Sequence, residues 1–345
     1  MFYQCPKCKQ IWQYPVEKCP ECFELLERME SKKIKVVGVS KINVVSMAHT
    51  KTPYFTLVLE DGSGNKWAQK TFQDYEVGQE FSWAGAGSKD ADSVAVWRIK
   101  YDLLEAIEKN IEFLGGLEIG PETKILIIPA LNSPKHSYFS ENTTPEFLDE
   151  TIGYLIRNGA RTENIKIAGQ SFNDIPIEAS VQKSGLLKTC LKHKIAPLDL
   201  SKTDFAKKED LEISQEVFQA GLVINLAILK IGQASASENL FKLLKKENYL
   251  GLKYLYGQKE ILEKLQPALP KILTLAEANF SQMPDKYTVF LGLSLAGYNA
   301  PNIDRVFNQI QPAGSLPETI SDVKVEEISI LGRTIEEVQF NNKNI

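Results

Sequence analysis

The 345-residue sequence has few of the features that mark membrane, secreted or nucleic-acid-binding proteins. It contains no run of about 18 uninterrupted apolar residues, which predicts that it has no membrane-spanning helix. Its start lacks a basic segment followed by an apolar run, so we expect no signal peptide and a cytoplasmic protein. The formal net charge of −4 gives no overall attraction for nucleic acid, and any such binding would need a local basic patch.

Several widespread cofactor and catalytic signatures are also missing. The sequence contains no GxxxxGKS/T phosphate loop, no GxGxxG after a strand-like run, no HExxH and no GxSxG. These absences argue against the common nucleotide-binding, zinc-protease and serine-hydrolase chemistries. The family of the chain must be sought in other patterns.

Cysteine is scarce, and four of the five cysteines form two CxxC pairs separated by ten residues: Cys5, Cys8, Cys19 and Cys22. This spacing is typical of a structural zinc ribbon in which four thiolates surround one ion and leave no open position for catalysis. Iron in a rubredoxin-type site uses the same ligands and is the alternative occupant. The fifth cysteine, Cys190, precedes His193 by three positions, but without an orienting third group we interpret it as a structural residue.

The length and the changing hydrophobic period predict three domains, because single cores stop growing near roughly 250 to 300 residues. Residues 1–30 form the zinc ribbon, and residues 31–90 alternate apolar and polar positions around the turn DGSGN, as in a hairpin-rich β module. The small-residue stretch at 84–93 is the predicted linker. From residue 97 to 345, apolar runs such as KILIIPA, NIKIAG, AGLVINLAIL and YTVFLGLSL alternate with helical stretches, including KEILEKLQPALPKILTLAEANF. We therefore predict an α/β domain with a mostly parallel sheet.

A two-CxxC ribbon followed by PYFTLVLEDGSGNKW and EVGQEF resembles the domain of unknown function 35 family. The matching positions are Pro53 and Tyr54, the Gly62 turn, and Val77 with Gly78. The resemblance implies a rubredoxin-like ribbon before a small OB-fold barrel, in a module that contacts acyl thioesters or docks acyl-CoA enzymes such as thiolases.

A ribbon with an OB-fold also occurs in proteins that bind single-stranded nucleic acid. Tyr54, Phe55, Trp67 and Phe72 would supply stacking faces beside Lys66 and Lys70. We regard this alternative as the weaker one, because the basic side chains near these rings are few and period-2 strands turn about half of the rings inward.

The remainder has KILIIPALNSP, ENTTPEF, GLVINLAILK, SENLFKLLKK and GYNAPNIDRVF in an order that resembles the domain of unknown function 362 family. The resemblance implies site positions at Asn132, Thr144 to Glu146, Lys230, Asn239 to Phe241, and Asp304. Some family features are absent. A leucine, Leu131, precedes Asn132 where a lysine and proline are expected, Thr144 and Gly232 replace two histidines, and no cysteines remain for a ferredoxin-like cluster.

Polar residues follow several of the strand-like runs, namely Asn132, Ser171, Asn173, Asp174, Lys230 and Asn299. Ligands of open parallel sheets bind where the carboxyl ends of strands meet, and a helix starting at Thr144 would direct amides at an anion there. The plain alternatives are that Asn132 and Asn173 form turns, Asp174 an Asx-turn, and Thr144 an N-cap. Asp304 either pairs with Lys230 or caps the helix IDRVFNQI.

We therefore predict a cytoplasmic metalloprotein that binds, and as an enzyme would transform, an anionic metabolite or acyl thioester, with Lys230 and Asp304 as catalytic candidates. The predicted ligand-binding set is Asn132, Thr144, Ser171, Asn173, Lys230, Asn239 and Asn299. The alternatives are a scaffold that docks a thiolase-like partner and a protein that binds single-stranded nucleic acid through the OB-fold. A convergence of Asn132, Lys230 and Asn299 at one sheet edge is the structural requirement of the crevice hypothesis.

Overall fold

The computed structural model divides the chain into two compact units, Met1–Gly87 and Ser88–Ile345. The described residues are 2–12, 18–29, 34–44, 53–71, 75–81, 92–99, 102–172, 175–283, 287–311 and 324–339. Most of the predicted linker lies outside them. Within the described ranges, no helix is long and apolar enough to cross a membrane.

The first unit begins with a three-stranded antiparallel sheet of order β2-β1-β3. Its strands are short: β1 (Phe2–Gln4), β2 (Ile11–Trp12) and β3 (Glu27–Met29). The first CxxC pair forms the turn between β1 and β2, and the second precedes β3. Such short strands bury little apolar surface, so this region depends on another source of folding energy.

A second antiparallel sheet of order β6-β5-β4-β7 completes the first unit. It consists of β4 (Ile34–Ile42), β5 (Tyr54–Asp61), β6 (Lys66–Thr71) and β7 (Glu80–Phe81). The predicted DGSGN hairpin is confirmed, since the Asp61 carboxylate accepts the amides of Ser63 and Asn65, each at 2.9 Å. No strand pairing among the described residues closes this sheet, so the predicted OB-fold barrel is not confirmed.

The second unit is built on an eight-stranded sheet of order β11-β10-β9-β14-β15-β16-β8-β17, with β12 and β13 forming a separate pair. The strands are β8 (Val94–Arg98), β9 (Ile125–Pro129), β10 (Ile165–Gly169), β11 (Pro197–Asp199), β12 (Phe205–Lys208), β13 (Leu211–Ser214), β14 (Leu222–Ile228), β15 (Ile272–Gln282), β16 (Thr288–Gly297) and β17 (Ile330–Gly332). The helices are α1 (Leu103–Phe113), α2 (Pro145–Arg157), α3 (Ile177–Ser184), α4 (Leu186–Lys192), α5 (Glu216–Gln219), α6 (Ser235–Leu240), α7 (Lys246–Leu255), α8 (Gln258–Ala268), α9 (Ala300–Ile310) and α10 (Ile335–Val338).

The α/β class is therefore confirmed, but the sheet is mixed rather than mostly parallel. Strands β11, β10, β9, β14 and β15 run parallel, whereas β16 pairs antiparallel with both β15 and β8. The cause is a long hairpin. The segment that we predicted to continue a helix through residue 280 leaves the helix after Ala268 and becomes β15, and the following run returns beside it as β16.

The central strands are buried on both faces. Every residue of β9 is buried, with Ile125 and Ile127 in one hydrophobic cluster and Leu126 and Ile128 in the other. Helices α1 to α4 cover the first face, and α6 to α9 contribute to the second. Helix α2 begins as predicted, with Thr144 as N-cap and Pro145 in the first turn. Polar side chains that follow these strands therefore gather at the ends of the sheet.

The edge strand β17 provides a test of the sheet order. A methyl group on Gly332, which has a φ of +83°, would lie 2.6 Å from the Val96 carbonyl oxygen and 2.8 Å from Phe113. We expect Gly332→Ala to lower the free energy of unfolding by about 1 to 3 kcal/mol. The control Gly251→Ala lies in exposed helix with open space around it and should raise stability by about 0.5 to 1 kcal/mol. Urea denaturation measures both, and a Gly332→Ala protein as stable as the parent would contradict the β8–β17 pairing.

Candidate functional site

The four predicted metal ligands come together in the first unit. The sulfur atoms of Cys5, Cys8, Cys19 and Cys22 all lie within 4.8 Å of one another, with Cys5 to Cys22 at 3.2 Å and Cys8 to Cys19 at 3.6 Å. Zinc bonded tetrahedrally to sulfur at about 2.3 Å places its ligands about 3.8 Å apart. The cluster can therefore hold a metal ion, and this geometry does not determine which one.

Each CxxC pair adopts the same tight turn. The amide of Lys9 donates to the Cys5 carbonyl at 3.0 Å, and the amide of Phe23 donates to the Cys19 carbonyl at 2.8 Å. Lys9 and Phe23 directly follow the second cysteine of their pair, and both have a left-handed backbone, with φ of 62° and 57°. Residues with side chains avoid this conformation, so bonds to a metal would offset its cost.

Four thiols at this separation compete for protons. Burial raises the pKa of Cys5, but hydrogen bonds from the Cys8 amide and the Cys22 thiol outweigh it and lower that pKa to about 6. The hydrogen bond with Cys5, together with burial, raises the pKa of Cys22 to about 12. Full ionisation of the cluster therefore requires a cation, whose charge would stabilise all four thiolates.

In the second unit, several predicted site residues meet at the carboxyl ends of β9 and β14. Asn132 follows β9, and its side-chain oxygen accepts a hydrogen bond of 2.8 Å from the ammonium group of Lys242. Asn239 on α6 donates to the Ile128 carbonyl at 3.0 Å and to Asn225 on β14 at 2.8 Å. Asn239 thus attaches α6 to the sheet, and α6 leads directly into the turn that carries Lys242.

Lys242 was not singled out by the sequence, yet it is the most strongly perturbed lysine at this edge. Its side chain is 6% exposed. Burial, with a smaller contribution from the positive charge of Lys230, lowers the pKa of Lys242 to about 7 against the opposing charge of Glu238. The Lys230 amide donates to the Ser235 hydroxyl at 3.2 Å, which places Lys230 at the start of α6, the helix that leads to Lys242. A lysine near neutral pKa is a candidate base or nucleophile.

The hydrogen-bonding groups at the start of α2 have partners within the protein. The hydroxyl of Thr144 accepts from the Phe147 amide at 3.2 Å and donates at 2.8 Å to the carboxyl of Glu277 on β15. Glu277 is 3% exposed, and burial raises its pKa to about 7. The prediction that Thr144 is the N-cap of α2 is confirmed. The carboxyl group beside the start of this helix belongs to Glu277 and not to a ligand.

Asp304 serves a helix other than the one predicted. It lies inside α9, whose N-cap is Asn299, so the suggested capping of its own helix is wrong. Its carboxylate instead accepts from the amides of Ala236 and Ser237, at 3.0 and 2.9 Å, and from the Ser237 hydroxyl at 2.7 Å. Asp304 thereby caps α6 from across the interface between α6 and α9.

The predicted convergence of Asn132, Lys230 and Asn299 is not present, so the crevice hypothesis fails in the form in which it was predicted. Because β16 is antiparallel to β15, its last residue, Gly297, pairs with Thr274 near the start of β15. Asn299 therefore lies at the amino ends of the parallel strands, whereas Asn132 and Lys230 lie at their carboxyl ends. The Asn299 side chain donates to Asp92 there. Asn299 is therefore not part of the cluster that contains Asn132 and Lys242. Two other residues predicted to follow a strand, Asn173 and Asp174, lie outside the described residues.

Ser171 lines an open cavity of about 680 Å³ at the carboxyl ends of β10 and β11. The wall also contains Gln170, Asp199, Ser201, Lys245 and Lys246, together with the first residues of α3 and α7. Gln170 is fully buried and donates to the carbonyls of Lys242 and Leu244. The amide of Gln170 thus connects the cavity wall to the turn that carries Lys242.

Neither Cys190 nor the aromatic rings of the first unit are placed as a functional site would require. Cys190 is 1% exposed, burial raises its pKa to about 11, and nearby His193 binds Asp149 at 2.6 Å, which agrees with a structural role for Cys190. Tyr54 and Phe55 are 9% and 8% exposed, so neither ring offers an open stacking face. Phe72 lies outside the described residues.

Comparison with models of known protein families finds no match to this chain. Comparison with curated proteins finds no match either. The resemblances to the two families of unknown function therefore remain predictions.

The cysteine cluster leads to a direct test. We expect the purified protein to hold about one metal ion per chain, and Cys19→Ser to lose it because three thiolates and a hydroxyl form a weaker site. Cys190→Ser is the matched control and should keep the metal. Elemental analysis by mass spectrometry measures both. Full metal content in Cys19→Ser would contradict the site.

The buried Glu277 predicts a dependence of stability on pH. Its raised pKa means that the folded protein holds a proton that the unfolded chain releases above about pH 4.5, so its contribution falls as pH rises towards 7. Glu277→Gln, which keeps an acceptor for Thr144, should raise the free energy of unfolding at pH 8 by up to about 3 kcal/mol and have little effect at pH 4. Exposed Glu163→Gln is the control. A gain of equal size at both pH values would contradict this interpretation.

Proposed function

We propose that the second unit binds an anionic metabolite, or the anionic part of an acyl thioester, in the cavity beside Gln170 and Ser171. The observation that carries this proposal is the meeting of two helix amino ends and two lysines in one wall. The cavity volume of about 680 Å³ is within the range of small-molecule sites. Its position at strand carboxyl ends is the usual one for ligands of such sheets.

The two helix ends supply positive potential. Pro176 and Lys245 are the N-cap residues of α3 and α7, and neither helix has a side-chain cap. The first turn of a helix presents amide groups that lack partners inside the helix, and its dipole favours an anion. An anionic group in this wall would meet both helix ends together with the ammonium groups of Lys245 and Lys246.

The wall also carries two carboxylates, Asp199 and Glu247, whose charges oppose those of Lys245 and Lys246, so the helix amino ends supply the remaining positive potential. Asp199 is held by Lys202 at 3.1 Å and by the Ser201 hydroxyl at 2.7 Å, and Lys245 has a partner in Glu212 at 3.1 Å. Although partial burial raises the pKa of Asp199, hydrogen bonds from Ser201 and Lys202 lower it below its ordinary value. The Lys245–Glu212 ion pair is partly exposed and therefore weak, so an anionic ligand can compete with Glu212 for Lys245.

The candidates for a reaction are Lys230, which follows β14, and Lys242, on the turn after α6; neither side chain lines the cavity. Gln170 bonds to the backbone of Lys242, so ligand binding at the wall and the position of Lys242 are mechanically connected. We do not assign a catalytic role to Asp304, because its carboxylate is occupied by α6.

We propose that the first unit is a zinc ribbon that docks a partner, such as an acyl-CoA enzyme of the thiolase type. Its described surface includes Phe23, Leu25 and Ile11, which are 75%, 64% and 41% exposed. Exposed apolar side chains around a metal centre favour protein contact over nucleic-acid binding. A site of four cysteines suits zinc, and free cysteines persist in a reducing compartment such as the cytoplasm.

The binding proposal is tested with Lys246→Ala. Native mass spectrometry and thermal-shift titration with phosphorylated metabolites, carboxylates and coenzyme A should identify a ligand, and Lys246→Ala should weaken it about tenfold through loss of a charged hydrogen bond. Lys188→Ala, at an exposed lysine on α4, is the matched control. A ligand bound equally by all three proteins, or no bound anion at all, would contradict the proposal. Stoichiometric co-purification of a protein partner without any ligand would favour the scaffold.

A further inference from the structure

We propose that the side-chain amine of Lys242 is a nucleophile that forms a covalent imine with a small aldehyde. Three features carry this inference: the amine is buried, its hydrogen-bond partner is a neutral amide, and its backbone is held in place by neighbouring side chains. The site lies at the carboxyl end of β9. It does not depend on the anion proposed for the cavity, because Lys242 does not line that cavity.

The partner of Lys242 favours the neutral amine. Lys242 is 6% exposed, and its nitrogen donates to the side-chain oxygen of Asn132 at 2.8 Å. Within the described ranges, no ion pair joins this nitrogen to a carboxylate. A buried ammonium group without a carboxylate is costly, whereas a neutral amine can donate to an amide oxygen and keep its lone pair. The neutral form is the one that attacks a carbonyl carbon.

The nearby charges act in the same direction. Lys230 adds its positive charge to the effect of burial on Lys242, and the pKa of Lys242 is about 7. Glu238 opposes this shift, but burial raises the pKa of Glu238 as well, which weakens it as a counter-charge near neutral pH. A desolvated lysine beside another cation is an arrangement that activates lysines for imine formation.

The position of Lys242 is fixed, and its amine is close to the surface. The side-chain nitrogen of Gln170 donates to the carbonyls of Lys242 and Leu244 at 2.6 and 2.5 Å, and Asn239 attaches the preceding helix to β9. Asn132 is exposed, so one side chain separates the amine from water. Rotation of Asn132 opens a path to the amine. The low exposure of Lys242 restricts this path to a small, unhindered carbonyl, which an aldehyde provides.

The reaction needs no oxidant or reductant. The lone pair of the Lys242 nitrogen forms a bond to the aldehyde carbon, and the carbonyl π electrons move to the oxygen. A proton passes from the nitrogen to that oxygen, which gives a carbinolamine. Loss of one water molecule then leaves the carbon–nitrogen double bond of the imine.

The experiment treats the folded protein at pH 7 with glycolaldehyde and sodium cyanoborohydride, which reduces an imine to a stable secondary amine. Peptide mass spectrometry then measures the rate at each lysine. At this pH about half of the amines with a pKa of 7 are neutral, against fewer than about one in a thousand with an ordinary lysine pKa. We expect Lys242 to react about tenfold or more faster than exposed Lys188, because burial offsets only part of this advantage. The preference should disappear in denaturant.

Asn132→Asp tests the geometry. It places a carboxylate on the Lys242 amine, which should raise the pKa of Lys242 and slow its reaction at pH 7 about tenfold. Asn158→Asp, at an exposed position at the end of α2, is the control and should leave the rate unchanged. Equal rates at Lys242 and Lys188 in the folded parent protein would overturn the proposal, whether or not a variant folds. A folded Asn132→Asp protein that reacts at the parent rate would overturn it as well.

Discussion

The second unit depends on one constraint, which is that its central strands are buried on both faces. Strand β9 has no polar side chain along its length, so its amides and carbonyls are satisfied within the sheet and the polar side chains near it come from the segments that follow the strands. Asparagine, threonine and glutamine then complete the backbone bonds where strands stop. Asn239 on the Ile128 carbonyl and Thr143 on the Leu226 carbonyl are examples. The same constraint that makes a dry core therefore produces a polar edge.

Burial also determines the chemistry of that edge. Lys242, Glu277 and Asp304 are each almost inaccessible to water, and desolvation moves the pKa of all three to about 7. Their surroundings differ. Lys242 donates to a neutral amide, Glu277 meets a hydroxyl, and Asp304 accepts from the start of a helix. Burial thus shifts all three pKa values towards neutrality, but only Lys242 contacts Asn132 at the carboxyl end of β9.

Local patterns predicted the elements whose determinants are local. The two CxxC turns, the DGSGN hairpin and the start of α2 each depend on residues a few positions apart, and all are present. The failures depend on tertiary structure. The leucine, alanine and glutamate residues of β15 made its sequence resemble a helix. The strand that β16 pairs with, and the direction of that pairing, cannot be predicted from nearby residues. The misplacement of Asn299 follows from that direction. The burial of Lys242 and Glu277 is likewise decided by distant packing, although a single charged residue inside an apolar run was a visible hint in both cases.

The sheet order also affects how the chain assembles. Strand β8 is the first strand of the second unit to leave the ribosome, but both of its neighbours, β16 and β17, lie between residues 288 and 332. Until they are made, β8 has two open edges. Helix α6 likewise waits for its cap, Asp304, which lies 67 residues beyond Ser237. Nascent chains of this protein therefore spend most of their synthesis with an unpaired apolar strand, a state in which β8 needs shielding from other chains by a chaperone or by rapid completion of synthesis.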